Sequence, residues 1–347
     1  MQASWKQTVG LLLKCCFLLI ATAVTAGVVY EQIGERRDRE RLPQVGRSVD
    51  IGGRSLNIFC SGSGGPPVIL DTGGSAPGYE NLLLQRKVAE FTRACWFDRA
   101  GLGWSDPSPV MQTSAAIAAD LHALLHAAGI PAPYVLVGAS FSGFDVRVFA
   151  GKYPPDVAGV VLVDSAHEDQ ENYEPQAIIA PVNRLPPLIQ RWLCVAVPLA
   201  ARVGLVRFLQ RVSNSHSDAP PGFTDDQANT LRGLELQPKS FVASAGCHAF
   251  QISMDQARAA GNLGDRPLIV LTAGRPFTVG DPEADKQLET FHDIWVHKLQ
   301  PELARLSTQG RQVIVENSGH GIGWEAPDAV VGAIHEVVTQ IRATEAL

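Results

Sequence analysis

Short apolar segments rich in β-branched residues alternate with helical segments from residue 46 onward. After a hairpin sequence, RSVDIGGRSLNIFC, the apolar segments read VILD, RACWFD, YVLVG, VAGVVLVD, RPLIVLT and GRQVIVE. The helical stretch TSAAIAADLHALLHAAG places Leu121, Leu124 and Leu125 on one face and ends at Gly129. Strands that alternate with helices form parallel sheets with both faces covered. The pattern predicts an α/β fold with a mainly parallel central sheet between two layers of helices.

The alternation is interrupted once, between VVLVD and PLIVLT. About a hundred residues separate these strands, far more than an ordinary loop contains. They include the apolar stretch LPPLIQRWLCVAVPLAARVGLVRFL and the polar stretch NSHSDAPPGFTDD. We therefore predict a helical insertion over residues 168–265, which divides the core into residues 46–167 and 266–347.

The first residues form a separate unit. The segment from Gly10 to Tyr30 is apolar except for Lys14 and is long enough to cross a bilayer as a helix. We predict that residues 1–45 contain a single-pass membrane anchor followed by the charged linker ERRDRERLPQVG. The alternative is a cleaved signal peptide, which would give a secreted or periplasmic protein, because Ala21-Thr22-Ala23 or Val24-Thr25-Ala26 supplies the small residues of a cleavage site. Basic residues flank the span on both sides, so its orientation stays open.

Charge and cysteine spacing argue against two classes of function. The formal net charge is −6, and no run of lysine and arginine with interleaved aromatic residues is present, which argues against nucleic-acid binding. No C-x-x-C pair occurs, which argues against a metal cluster. Outside the apolar N-terminal segment the cysteines are Cys60, Cys95, Cys194 and Cys247. The sequence does not indicate which of them pair, or the oligomeric state.

The segment VLVGASFSG contains the first candidate for chemistry. An apolar strand ends at Gly138 and a helix begins near Phe141, so Ser140 lies in the turn between them. A nucleophilic serine requires this strand-turn-helix context, with small residues on both sides. Ala139 and Ser142 are small enough. The pattern is G-x-S-x-S-G instead of G-x-S-x-G, and we predict that Ser140 is a nucleophile.

A serine hydroxyl needs a base, which is expected late in the chain after the last strand. The segment VIVENSGHGIGWEAPD supplies His320, which is framed by glycines between a strand and a helix. His320 is therefore the predicted base.

Together these segments resemble the α/β-hydrolase superfamily, in particular its esterase, lipase and peptidase-like members with a cap domain. The resemblance covers residues 47–341 and rests on VILDTGGSAPG, CWFDRAGLGWSD, YVLVGASFSG, VAGVVLVDSAHED and ENSGHGIGWEAPDAV, in the superfamily's order. It implies the α/β-hydrolase fold, with a helical cap inserted after the strand that follows the nucleophile. It also implies that the amides of Gly74 (or its neighbour Ser75) and Phe141 form an oxyanion hole.

The sequence departs from the superfamily pattern at three places. Thr72-Gly73 stands where His-Gly usually opens the oxyanion loop, Ala139 replaces a common histidine, and Ser142 replaces a glycine. None of these changes removes a backbone amide from the implied oxyanion hole.

The acid of the triad has several candidates. Members of the superfamily usually carry it after the strand before the histidine, where this chain has Arg275-Pro276, and the first acid downstream is Asp281. The other route places the acid after the strand that follows the nucleophile, where Asp164 stands. Asp164 is the preferred candidate, Asp281 is the alternative, and Glu168 or Asp169 follow. In each case the carboxylate would orient the histidine and stabilise the imidazolium.

Other polar residues receive a structural interpretation. The resemblance implies that Asp98 and Arg99 order the oxyanion loop instead of reacting. His167 and Glu168 match metal-ligand spacing only loosely and lack a second pair, so no metal is predicted. No cofactor is predicted either, because triad chemistry needs only side chains and water.

The predicted function is that of a membrane-anchored serine hydrolase. It would cleave a carboxylic ester of a small apolar or lipid-like molecule, since the insertion is rich in apolar residues. An acyltransferase that uses the same residues, and a binding protein that keeps the fold without catalysis, are the alternatives. Dehalogenase and epoxide hydrolase chemistry is disfavoured, because those enzymes use an aspartate nucleophile where this chain has Ser140.

Overall fold

The computed structural model describes residues 2–175, 186–213, 220–244 and 249–346. Its strands are β1 (Arg47–Asp50), β2 (Ser55–Ser61), β3 (Val68–Asp71), β4 (Ala94–Phe97), β5 (Tyr134–Ala139), β6 (Val157–Val163), β7 (Leu268–Ala273) and β8 (Gly310–Val315). Its helices in the first half are α1 (Gln2–Arg41), α2 (Leu82–Val88), α3 (Ser114–Ala127) and α4 (Ser142–Lys152). Those between β6 and β7 are α5 (Pro187–Arg202), α6 (Leu205–Ser213), α7 (Asp225–Glu235), α8 (Pro238–Ser244) and α9 (Ala249–Ala259). After β7 follow α10 (Pro282–Ile294), α11 (Gln300–Ala304), α12 (Ile322–Glu325) and α13 (Pro327–Glu345).

The strands form one sheet in the order β1-β2-β4-β3-β5-β6-β7-β8. Strand β2 is antiparallel to β1 and β4, and the remaining neighbours pair in parallel. The predicted hairpin is therefore the antiparallel edge of a mainly parallel sheet. Because the parallel strands run in one direction, the turns that follow β3, β5, β6, β7 and β8 meet at one edge of the sheet.

Helices cover both faces of this sheet, as the sequence predicted. In β5, Leu136 contributes to one apolar core with α3, α4 and α9, while Val135 and Val137 contribute to the other with α2 and α13. This alternation follows from the strand's period of two residues. The predicted fold class, a mainly parallel sheet between two helical layers, is confirmed.

A disulfide joins Cys60 and Cys95, with a sulfur–sulfur distance of 2.07 Å. These residues are directly opposite each other on the antiparallel pair β2–β4, which explains how their side chains meet. The sequence had left the cysteine pairing open. Cys247 lies outside the described residues.

The described residues of the predicted insertion are mainly helical. Parts of it, residues 176–185, 214–219 and 245–248, lie outside the described residues. Helix α5 packs against α6 and α8, whereas α9 packs against the core helices α3 and α4. The insertion thus ends in a helix that is continuous with the core.

The N-terminal helix α1 holds one stretch long and apolar enough to cross a membrane, within Gln7–Arg41. No residue of its most apolar window is buried against the rest of the protein. The predicted apolar segment is therefore part of a single helix that continues into the charged linker and ends at Arg41.

Candidate active site

Ser140 lies in the turn between β5 and α4 with a left-handed backbone conformation, at φ +52°. Its amide donates to the carbonyl oxygen of Val163 at 3.0 Å, which ties the turn to the end of β6. An L-residue in this region costs about 1–2 kcal/mol, so the surrounding structure must impose the conformation. The result is a partly exposed hydroxyl at the carboxyl edge of the sheet.

The second serine of the motif holds this turn in shape. The Ser142 hydroxyl accepts from the amide of Ala139 at 2.8 Å and lies 3.0 Å from the carbonyl oxygen of Asp71 on β3. The next residue, Gly143, has no space for a side chain, because a Cβ there would lie 2.5 Å from the Cβ of Ser165. In the pattern G-x-S-x-S-G, the second serine therefore supplies a bridging hydroxyl, and the glycine after it allows α4 to lie close to the segment that follows β6.

His320 connects Ser140 to Asp164. Its Nε2 lies 3.0 Å from the Ser140 Oγ, and its Nδ1 lies 2.6 Å from the Asp164 Oδ2. Because a carboxylate only accepts hydrogen bonds, Nδ1 carries the proton and Nε2 is free to accept from the serine. The hydrogen bond that His320 donates to Asp164 is the main cause that raises the pKa of His320 above its ordinary value.

Asp164 is held by three donors. Besides His320, the backbone amide of Ala273 and the indole of Trp295 donate to its Oδ1, at 2.9 and 2.8 Å. Like Ser140, it has a positive φ, of +42°. Sequence reasoning did not find Trp295, because it lies more than 130 residues from Asp164, beyond α10. The carboxylate is buried and fixed, and one of its oxygens is directed at the histidine.

The other candidate acids have different partners. Asp281 caps α10, where its side chain accepts from the amide of Ala284 at 2.9 Å. Glu168 forms two hydrogen bonds with Arg147, and Asp169 pairs with Arg258 at 3.0 Å. None of these carboxylates contacts His320 in the described residues.

The position where the superfamily usually carries its acid has another use here. Arg275 forms an ion pair with Glu325 on α12. The carboxylate of Glu325 also accepts from the amide of Gly319 at 3.0 Å, directly before the histidine. The pair therefore fixes the loop that carries His320.

The loop after β3 lies beside Ser140 and is held by Arg99. This guanidinium donates to the carbonyl oxygens of Gly73 and Gly74 and lies 3.4 Å from the Asp145 carboxylate. Burial raises the pKa of Asp145 to about 6, against the opposing charge of Arg99. The hydrogen bonds from Arg99 hold the carbonyl groups of this loop in place. Gly74 lines the cavity at Ser140.

Asp98, the neighbour of Arg99, is fully buried and contacts no candidate catalytic side chain. It accepts from the amides of Gly78 and Trp104 at 2.7 and 3.0 Å and from the side-chain amide of Asn57 at 2.9 Å. These bonds connect the loop after β4 to the loop after β3.

Two cavities meet at Ser140. The Gly74 cavity, of about 400 Å³, also contains Arg99, Ile117 and Ala243 in its wall. The His320 cavity, of about 330 Å³, contains His320 and a largely apolar wall. Its apolar wall includes Ala166, Ala273, Phe277, Leu288, Phe291 and Trp295. Both cavities include Ser140, Phe141 and Phe250, so a molecule bound across them would place its centre at the serine hydroxyl.

His167, Asp169 and Glu302 form the one cluster of potential metal ligands found among the described residues. The Nδ1 of His167 accepts from the amide of Asp169 at 3.0 Å, and its Nε2 lies 3.3 Å from a Glu302 oxygen. Both ring nitrogens of His167 thus have protein partners, and these contacts give the side chain a structural role.

Comparisons with known proteins place these features in context. The model of the Alpha/beta hydrolase family matches residues 58–333. The uncharacterized protein YbdG of Bacillus subtilis is 27% identical over 168 residues, which cover 47% of this chain and 51% of YbdG. The chain thus spans about half the length of that relative.

Solved structures of the same fold resemble this chain over most of its length. A thermophilic esterase from Thermogutta terrifontis superposes with a TM-score of 0.56 at 21% identity, covering 85% of this chain and 98% of the esterase. An enol-lactonase from Burkholderia xenovorans gives a TM-score of 0.57 at 16% identity, covering 84% and 99%. At these identities the likeness extends to the fold.

Proposed function

The chain belongs to the alpha/beta hydrolase family, and we propose that it is a serine hydrolase that cleaves a carboxylic ester through an acyl-enzyme on Ser140. The observation that carries this proposal is the hydrogen-bonded line from Ser140 through His320 to Asp164. A hydroxyl, a basic nitrogen and a buried carboxylate in this order are what the activation of a serine requires.

The proposed reaction has two halves. The Ser140 Oγ attacks the ester carbonyl carbon while its proton passes to the Nε2 of His320. The resulting oxyanion accepts hydrogen bonds from the amides of Gly74 and Phe141, and the carbon–oxygen bond of the ester breaks as His320 returns the proton to the leaving alcohol. A water molecule then attacks the acyl-enzyme by the same proton route, which releases the acid and restores Ser140.

The two cavities indicate where each part of the ester would bind. A leaving alcohol must take its proton from His320, so it belongs in the His320 cavity. The acyl chain, on the side of the oxyanion amide of Gly74, belongs in the Gly74 cavity. Apolar residues dominate the wall of the His320 cavity and occur in that of the Gly74 cavity, which supports an apolar, lipid-like ester as substrate.

Labelling with a fluorophosphonate tests the activated serine directly. We expect the wild-type chain to be labelled, Ser140→Ala to be unlabelled and His320→Ala to be labelled far more slowly. Labelling of Ser140→Ala at the wild-type rate would refute the assignment. A folded wild-type chain that is not labelled would favour a binding protein without catalysis.

The division of the substrate is tested with p-nitrophenyl esters of increasing acyl length. Ala243→Phe, which narrows the Gly74 cavity, should lower kcat/KM for long acyl chains more than for short ones. As the matched control, His292→Phe in the His320 cavity should leave this ratio unchanged and should alter kcat/KM across a second series of esters, which share one acid and differ in the alcohol. A strict preference of the wild type for short chains would contradict the lipid-like substrate. Formation of a new ester when an alcohol is added would instead indicate an acyltransferase.

A further inference from the structure

The turn between α5 and α6 is packed against α1 near the end of its apolar segment. A Cβ at Gly27 would collide with the carbonyl oxygen of Val203, and a Cβ at Gly204 would lie 2.7 Å from the carbonyl oxygen of Gly27. Only glycine allows this approach of the two backbones. Gly27 lies three residues, about one helical turn, before the end of the apolar segment at Tyr30.

An ion-pair cluster extends this contact along α1. Arg207 of α6 donates to both carboxylate oxygens of Glu31, at 2.8 and 3.0 Å, and lies 2.8 Å from the Asp38 carboxylate. The side chain of Glu31 is only 5% exposed. Glu31 and Asp38 are seven residues apart and therefore share one face of α1. The start of α6 is thus fixed beside the part of α1 that follows the apolar segment.

Both helices of this hairpin have an exposed apolar stripe. In α5 the stripe consists of Leu188, Trp192, Val195 and Leu199, and in α6 of Leu205, Phe208, Leu209 and Val212. The spacings are those of a single helix face. Trp192 and Val212 are 68% and 67% exposed, so the described part of the protein leaves most of their surface uncovered.

The charge of the hairpin differs from that of the whole chain. Residues 187–213 include four arginines and no aspartate or glutamate, although the formal net charge of the chain is −6. Arg202 and Arg211 are exposed. A basic helix with Trp, Phe and Leu on its apolar face is the pattern that binds the interface of an anionic bilayer.

We propose that the α5–α6 hairpin docks on a phospholipid bilayer, with its two apolar stripes among the lipids, beside the point where α1 leaves the membrane. The inference rests on the membrane anchor that the sequence predicts and adds a second membrane contact to it. Helix α5 packs on α8, whose Ala243 lines the Gly74 cavity. A docked hairpin would therefore bring that cavity within one helix layer of the lipid.

The intrinsic fluorescence of Trp192 tests this docking in the full chain. The protein is reconstituted into vesicles of phosphatidylcholine and phosphatidylglycerol, with and without bromine on the phosphatidylcholine acyl chains. Bromine quenches only indoles that reach the lipid. We expect the wild type to be quenched more strongly than Trp192→Phe, which retains the quenching of the exposed Trp5 on α1 and keeps an apolar aromatic ring at position 192.

An independent measurement separates failure of the docking from failure of the anchor. Membranes that contain the protein are extracted with alkaline carbonate, which releases proteins without a membrane-crossing helix. Retention in the membrane with equal quenching of wild type and Trp192→Phe would overturn the docking alone. Release into the extract would overturn the anchor and, with it, the proposal.

Discussion

Replacement of Asp164 by asparagine should inactivate the enzyme by reversing the tautomer of His320. Two donors, the amide of Ala273 and the indole of Trp295, face one oxygen of Asp164, whereas a single donor faces the other. An asparagine would direct its carbonyl oxygen at the two donors, so its NH₂ group would face the Nδ1 of His320. That nitrogen would then have to accept, and the proton would move to Nε2, opposite the hydroxyl of Ser140.

The expected loss of kcat is on the order of 10⁴-fold, since a triad with the wrong tautomer keeps only its oxyanion hole and substrate binding. This corresponds to about 5 kcal/mol of transition-state stabilisation. The pH profile should change as well. Activity requires neutral His320, so it falls as the pH drops through the pKa of this group, which the hydrogen bond to Asp164 raises. In Asp164→Asn, which lacks the carboxylate, the loss of activity at low pH should therefore occur at a lower pH than in the wild type.

The assay is steady-state hydrolysis of a p-nitrophenyl ester between pH 5 and 9, and Asp281→Asn is the matched control. Asparagine caps helices about as well as aspartate, so the control should keep its stability and activity. Activity of Asp164→Asn within tenfold of wild type would refute the tautomer argument. A loss in Asp281→Asn equal to that in Asp164→Asn would also refute it.

Three further predictions concern residues away from the proton route. Arg99→Lys keeps the buried charge but not the guanidinium that joins the carbonyl oxygens of Gly73 and Gly74 to Asp145, so kcat should fall about 10²-fold with little change in KM, measured by steady-state kinetics. Loss of the Cys60–Cys95 bond, which closes a loop of 35 residues, should lower the free energy of unfolding by roughly 2–4 kcal/mol in urea titrations of the double alanine variant. Burial raises the pKa of the Glu168 carboxyl, but the hydrogen bonds and the charge of Arg147 outweigh this effect and lower the pKa from 4.5 to about 2. The stability from this carboxylate should therefore be complete above pH 4.5 and disappear toward pH 2, and a Glu168→Gln variant should lack that part of the acid dependence.

Local patterns were sufficient to predict the sheet and two of the candidate site residues. The apolar runs mark the strands because a strand buried on both faces must be apolar throughout. Ser140 was identifiable because it follows β5 directly, and His320 because it lies in the short loop between β8 and α12, at the same carboxyl edge of the sheet. Asp164 was the preferred acid for the same reason, and the structure brings its carboxylate to His320.

The supporting contacts were not predictable, since they join parts of the chain that no local pattern relates. The indole of Trp295 and the ion pair of Arg275 with Glu325 depend on the packing of α10 and α12. Ser142 was recognised only as a small residue, although its hydroxyl bridges two strands. These contacts decide how precisely the site is held, and they become visible only when the tertiary structure is known.

The positive φ of Ser140 has an evolutionary consequence. Glycine adopts this backbone conformation without the steric penalty that any other residue suffers. A lineage that retained the fold but no longer needed hydrolysis would gain stability by accepting glycine at this position. Under the proposed function, the need for a nucleophile would be what keeps a serine at position 140, and a relative with glycine there would be expected to have lost catalysis.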